Sequence, residues 1–236
     1  MKHPAGPAIL AIDPWAPGSP SGRHQLLGET ERAQLAKIAT VVRFEKGHKI
    51  YEAGEPADAA FNIVSGVVAA YWSQGGPEHI ISFLHPGDLF GLSEEGRYAN
   101  TTTRAATAVT AYRMPLRAIT RLLERHPDLD VSLIIKLCEE LREAQRHAAL
   151  LAQKRASTRL AIFLSLQEHI QASDGQPAEI SLPMDRASIA AYLGLTAAAL
   201  SRAFRTLTSK RIISSRDLHH VTILDRDAFV KLVEQI

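Results

Sequence analysis

At Pro115 the chain changes its period. Between Val41 and about Leu116 it runs as short segments rich in β-branched and aromatic residues, VVRF, HKIYEA, AFNIVSGVVAAYW, HIISFL and TAVTAYRM. Gly47, Gly54, Gly66, the Gly75-Gly76-Pro77 corner and the Pro86-Gly87-Asp88 corner separate them and supply the positive or fixed φ at which strands reverse. Beyond Pro115 the apolar residues recur at helical spacing instead. Strands gathered in one half and helices in the other predict an α+β chain, with a first half that closes as a jelly roll or barrel.

The helical half opens with LRAITRLLERHP and continues in a long run from Asp128 to about Lys154. In that run Ile134, Leu137, Leu141, Ala144, Ala148 and Leu151 are spaced 3, 4, 3, 4 and 3 apart, the a/d alternation of a coiled coil. So narrow a seam needs a second helix, which predicts a homodimer ahead of packing within the same chain. Lys136, Glu139, Glu140, Arg142, Glu143 and Arg146 flank the seam and either stay solvated or pair across it. Glu143 and His147 are four apart, which suits a shared metal but also arises by default on coiled-coil flanks.

RLAIFLSLQEHI forms a further helix, closed by the polar loop QASDGQP. AEISLPM is then a short strand, Asp185 an N-cap, RASIAAYL a helix, GLT a turn, and AAALSRAFRTLTSKR a second helix capped by Thr196. IISSRDLHHVTILD follows as a hairpin. Two helices with a tight Gly-containing turn, then a hairpin, make a winged helix-turn-helix. Ile189, Leu193, Leu195 and Leu200 supply its small core, Ala190 permits close helix approach, and Gly194 permits the turn. Between Arg202 and Arg216 the chain carries Arg202, Arg205, Lys210, Arg211 and Arg216 and no acidic residue, a surface suited to a polyanion.

Composition narrows the class. The chain has 236 residues, 46% hydrophobic and 22% charged, with a net charge of +2 that hides the basic C-terminal cluster. That is globular rather than disordered or fibrous, and long enough for two domains. Its one cysteine, Cys138, excludes an intramolecular disulfide, a cysteine-ligated zinc finger and an all-cysteine iron–sulfur cluster. A buried structural thiol is the expectation there, ahead of an intersubunit disulfide. No apolar run approaches a membrane span, so no membrane partner and a cytoplasmic location are expected. Residues 1–22, with Pro4, Pro7, Pro14, Pro17 and Pro20, lack the pattern of a signal peptide and are expected to form a flexible tail.

In this order the parts resemble the cAMP-receptor/FNR superfamily of bacterial transcription regulators, over nearly all of the chain after the tail. KGHKIYEAGEPADAAFNIVSGVV is similar to the opening strands of that family's β-roll sensor, and PGDLFGL to the start of its ligand cassette. MDRASIAAYLGLTAAALSRAFRTLTSKRII is similar to its DNA-binding unit. The resemblance implies an N-terminal β-roll, a double-stranded β-helix of the cyclic-nucleotide-binding kind, over residues 23–126. It further implies a dimerisation helix over 127–154 and a winged helix-turn-helix over 155–236. The implied partners are double-stranded DNA with a near-palindromic site, a second copy of the chain, and RNA polymerase.

Three alanines, Ala197 to Ala199, stand at the start of the second helix, where family members usually carry a glutamate at the position of Ala198. Direct readout then falls on Arg202, which matches guanine N7 and O6, and on Ser201, with Ala197 and Ala198 against a thymine methyl. Arg202 is otherwise a phosphate clamp. Thr196, Arg205, Lys210, Arg211 and the wing's Arg216 are candidate backbone contacts. The candidate effector pocket comprises Gly87, Asp88, Leu89, Asn100 and Thr101. There Asp88 stands for the family's ribose-binding glutamate, and Asn100-Thr101 for its phosphate-binding pair. Asparagine cannot neutralise a buried phosphate, though Arg97 or Arg104 can substitute. Cysteines for an FNR-type cluster are missing ahead of the roll, and haem through His24, His48, His79 or His85 is a minor alternative. No cofactor is therefore assigned, and control by an unidentified effector or by abundance is expected. Enzyme motifs such as a phosphate loop, HExxH or G-x-S-x-G are missing, so the rival reading is a ligand-binding regulatory module acting through protein contacts.

Overall fold

The computed structural model describes residues 35–73, 76, 78–93, 96–98, 101–172 and 178–234. The expected tail, His24, Asn100 and the ends of the Gly75-Gly76-Pro77 corner lie outside the described residues, as do the side chains of Lys136 and Glu139. The β-rich half forms β1 (Thr40–Phe44), β2 (Lys49–Tyr51), β3 (Ala59–Ser65), β4 (Val68–Trp72), β5 (His79–Leu84), β6 (Leu89–Phe90), β7 (Thr101–Ala105) and β8 (Val109–Pro115). They pair antiparallel in two four-stranded sheets, ordered β1-β8-β3-β6 and β2-β7-β4-β5. Because every neighbour pair except β4-β5 is distant in sequence, the chain winds back and forth between the sheets as a roll.

Between the sheets the roll is filled by its own aromatic residues. Tyr51 stacks on Tyr98 with ring centroids 3.8 Å apart and planes 11° apart, and it also meets Phe61 and Phe90. Tyr98 donates its hydroxyl to the Ala59 carbonyl at 2.8 Å, so the phenol is satisfied where it is buried. Burial raises the pKa of both tyrosines, which keeps them neutral. Helix α1 (Leu116–Leu123) closes one end, burying Ile119 against Leu89 and Met114.

Helix α2 (Pro127–Ala152) begins with proline in its first turn, where a missing N–H costs nothing. After α3 (Ala156–Gln171) come β9 (Ile180–Ser181), α4 (Arg186–Tyr192), α5 (Ala197–Ser209), β10 (Ile213–Ser215), β11 (His220–Ile223) and α6 (Arg226–Val233). Strands β10, β11 and β9 make a small antiparallel sheet in that order, the wing. Leu160, Phe163 and Leu164 of α3, with Leu193, Leu200, Leu207 and Phe229, form this unit's core. Val67, Ala69, Ile80 and Phe83 of the roll belong to the same cluster, so the two halves are docked on shared apolar surface.

Candidate nucleic-acid interface

The helical hairpin is built from two side-chain caps and one turn. Asp185 accepts from Ser188 N at 2.7 Å to start α4, and Thr196 accepts from Ala199 N at 3.1 Å to start α5. Between them Gly194 has φ +61°, a conformation that costs a side-chain-bearing residue energy. The two helices meet at 95°, within the range of a helix-turn-helix. Leu200, Ala203 and Leu207 turn α5's apolar stripe into the core. Thr196, Ala197, Ala198, Ser201, Arg202, Arg205, Lys210, Arg211 and Arg216 are all exposed, as a DNA-facing surface requires.

Among the described residues none of Arg202, Arg205, Lys210 and Arg211 has an ion-pair partner, so their charges face outward uncompensated. Arg216 differs. The fold brings Glu179 to 3.4 Å and Asp217 to 3.7 Å of its guanidinium, although the local sequence up to that point is purely cationic. Asp217 organises the wing tip: it accepts from the backbone of His219 and His220 and from the His220 ring. The His220 contact, aided by those backbone donors, holds its carboxyl down at about 2.

Two residues at this surface carry signals that sequence reading missed or could not weigh. Arg186, the first residue of α4, lays its guanidinium 3.6 Å over the Phe204 ring of α5. Burial pulls its pKa below the usual arginine range, and its Nη1 has no hydrogen-bond partner among the described residues. Arg211 sits just past α5 with φ +55°, the position where helices usually place glycine. Its N–H reaches the Thr208 carbonyl at 2.9 Å while Ile212 N reaches Leu207 O at 3.0 Å, the Schellman pair that closes the helix.

Apart from Leu151, whose side chain reaches the Gly194 turn, the seam of α2 does not pack on its own chain. Leu141 is 60% exposed and Ile134 58%, and Leu137, Ala144, Ala148 and Leu151 are also exposed. Cys138 shares this exposed surface, so it is no buried structural thiol within the chain. The other side of α2's last turns is buried against the hairpin. His147 stacks on Tyr192 at 4.0 Å and 12°, and its Nε2 lies 2.8 Å from the Tyr192 carbonyl. It is thus neither a solvated flank nor half of a metal pair with Glu143. Desolvation lowers its pKa, against the opposing effect of that carbonyl. Arg159 completes the joint, donating to Leu151 O and Gln153 O at the end of α2 and to Leu193 O in the hairpin turn at 2.7–2.9 Å. Tyr192 also meets Phe83 of β5, so roll, long helix and hairpin touch at one aromatic cluster.

The cassette residues are divided. Gly87 and Asp88 form the turn before β6, Leu89 lies in β6, and Thr101 starts β7 in the opposite sheet. Asp88 is buried, and its Oδ2 accepts from His85 N at 2.7 Å. A carboxylate committed to its own turn is not presented to a ribose, which corrects the role expected of it. Arg104 forms a bidentate pair with Glu78 at 2.5 and 2.6 Å, and Arg97 donates to Gly54 O at 2.7 Å. Of the two arginines considered as substitutes for a phosphate partner, Arg104 is charge-paired, while Arg97 spends one donor on a carbonyl and has no ion-pair partner among the described residues.

A β-roll docked on a winged helix-turn-helix, with a long helix between them and a cationic reading face, defines a class: DNA-binding transcription regulators with a sensor-type roll. Residues 41–126 match the model of the cyclic nucleotide-binding domain, and residues 158–232 that of the Crp-like helix-turn-helix domain. The nitrogen fixation regulation protein FixK of Bradyrhizobium diazoefficiens is 30% identical over 183 residues, 77% of each protein. The fumarate and nitrate reduction regulatory protein of Vibrio cholerae is 28% identical over 87% of this chain and 84% of its own length. Among solved structures, FixK2 from Bradyrhizobium japonicum superposes with a TM-score of 0.75 at 28% identity, covering 83% of this chain and 97% of that one. The chain belongs to the Crp/Fnr superfamily of transcription regulators.

Proposed function

We propose that two copies pair through Ile134, Leu137, Leu141, Ala144, Ala148 and Leu151 of α2 and set their α5 helices into successive major-groove turns of a near-palindromic promoter site. Arg202 and Ser201 read base edges, while Ala197 and Ala198 lie against a thymine methyl. Thr196, Arg205, Lys210, Arg211, Arg216 and the sequence-missed Arg186 hold phosphates. Glu179 and Asp217 discount Arg216 relative to the others. The observation that carries this reading is the face of α5, where Ser201, Arg202 and Arg205 are exposed and no acid pairs with either arginine among the described residues.

The division into tail, roll, long helix and winged unit at 22, 126 and 154 remains our domain assignment. Within it the roll takes no cyclic nucleotide, because Asp88 and Arg104 are committed elsewhere. Its control lies with another effector or with abundance. The chain acts in the cytoplasm, with RNA polymerase as partner and without catalysis. Among the described residues no single helix is long and apolar enough to cross a membrane. Selecting bound sites from a random duplex pool, followed by a salt titration on the winner, tests the proposal. A palindromic consensus with steeply salt-dependent affinity is expected, and salt-insensitive retention without a consensus sinks it.

A further inference from the structure

A cavity of about 380 Å³ lies where the roll meets the winged unit, apart from the cassette residues of β7. Its roll wall is the Gly66–Val67 and His85–Pro86 turns, and its other wall is the last turns of α3 with Ser181 and Pro183. Among the described residues no Lys, Arg, Asp or Glu lines it and His85 is the one titratable side chain, so a phosphate or carboxylate would enter without a permanently charged partner. Most polar groups in the wall are already spent. Thr107 Oγ1 accepts from Val67 N at 2.9 Å, and the Gln171 amide exchanges two 2.8 Å hydrogen bonds with the backbone of Ser181. Gln167 is different: it lines the cavity, it is 1% exposed, and its Oε1 has no partner among the described residues. A buried amide oxygen left without a donor is costly, and a ligand that brings one removes that cost.

We propose that this interdomain cavity binds a small uncharged ligand, one or two rings in size, mainly apolar, whose single N–H or O–H donates to Gln167 Oε1. Such a ligand touches both walls, so it binds the docked arrangement of the two halves better than any separated one. It also bears on the His85–Pro86 turn that Asp88 holds. That its occupancy changes DNA affinity rests on the DNA-binding reading above; that the cavity is a ligand site does not.

The test uses the full chain and three probes: indole, which carries one N–H; benzothiophene, of nearly the same shape without a donor; and benzoate, which is charged. Calorimetry on the parent is expected to give indole binding roughly tenfold tighter than benzothiophene, with no benzoate binding. In Gln167→Leu, which keeps the volume and deletes the acceptor, the two neutral probes are expected to become equal, while the unliganded variant unfolds at the same or a higher temperature. Ile170→Trp, which fills the cavity, is expected to bind neither. Equal affinity of the two neutral probes for the parent overturns the proposal, as does an indole preference that survives in Gln167→Leu. Duplex retention of the parent with and without saturating indole reads the regulatory half separately: a changed affinity supports it, and an unchanged one removes it while leaving the cavity assignment standing. Retention of no duplex even without probe counts against the DNA-binding reading instead.

Discussion

The roll interior and the surface formed by α2 and α5 treat their polar and apolar groups in opposite ways. In the roll the side chains answer one another: Tyr51 stacks on Tyr98, Asp88 holds its own turn, and Arg104 grips Glu78. On α2 the seam residues Ile134, Leu137 and Leu141 stand exposed, and on and just past α5 Arg202, Arg205, Lys210 and Arg211 have no ion-pair partner among the described residues. A region whose groups are mutually satisfied stabilises the fold and has little left to offer a ligand. One whose groups are stranded spends stability and keeps its binding free energy for a partner. Mutations in the first should therefore appear in unfolding curves, and mutations in the second in binding curves.

The largest test is at the seam. Leu141→Glu puts a charge at a buried position of the proposed dimer while changing nothing inside the single chain. Affinity for a two-half-site duplex should fall roughly 10²- to 10⁴-fold, because the second half-site then has to be bound by an untethered copy. Sedimentation should show a monomer with unchanged helical content. A variant that still sediments as a dimer breaks the contrast at its strongest point.

In the roll the matching change is Tyr51→Ala, which empties the centre of the aromatic stack. A loss of about 3–5 kcal/mol in denaturant unfolding is expected, as for other buried aromatic deletions. DNA affinity measured well below the unfolding transition should hardly move. Equal damage to both would mean that the roll interior also sets the reading face.

Arg202→Ala separates base reading from phosphate holding. About 1–3 kcal/mol should be lost on the selected site and much less on random duplex, since only a base contact discriminates. Equal losses would demote Arg202 to a clamp and leave DNA shape as the main source of specificity.

Much of this contrast was legible in the sequence wherever a local pattern carries it. The 3-4 seam, the caps Asp185 and Thr196, the Gly194 turn and the exposed cations all depend on neighbours a few residues away, and spacing encodes such neighbours. The rest depends on distant partners. Nothing near Asp88 announces that its carboxylate turns to His85 N, nor anything near His147 that a tyrosine 45 residues on will cover it. Strand β6, two residues long, and α6, which follows the hairpin, have no counterpart among the elements expected from the sequence. The docking of Phe83 and Val67 on the winged unit is likewise invisible until both halves are folded.

His147 supplies a pH-dependent test of the joint between the open and closed regions. Its folded pKa lies below the unfolded value of about 6.5, so the fold prefers the neutral ring. Its contribution is fully present above about pH 6.5, is lost as pH falls toward the depressed folded value, and is constant below that. Over that window the slope is at most about 1.4 kcal/mol per pH unit. His147→Phe keeps an aromatic ring against Tyr192 but cannot titrate. Unfolding measured between pH 7.5 and 5 should therefore fall less steeply for the variant than for the parent. Parallel curves would show that the joint does not exclude the proton.

The smallest effect is at Arg211, where stability and binding should move in opposite directions. Its φ of +55° belongs to the left-handed region, which costs a residue with a Cβ roughly 1–2 kcal/mol and glycine little. The helix closure needs that conformation and not that side chain, because the Schellman hydrogen bonds are made by the backbone of Arg211 and Ile212. A strained arginine at the end of a reading helix is explained if its charge serves DNA. Arg211→Gly should then raise stability by roughly 0.5–1 kcal/mol, the relieved strain less the extra freedom of glycine in the unfolded chain. The same change should weaken specific and random duplex alike and lower the salt slope by about one phosphate per protomer. Arg211→Ala is the control, since it deletes the charge and keeps the strained Cβ: binding should fall as in the glycine variant with no gain in stability. If glycine stabilises and the salt slope stays where it was, the strain at Arg211 has no connection with DNA, and the rule that stranded groups on α5 are kept for a partner fails at its clearest local case.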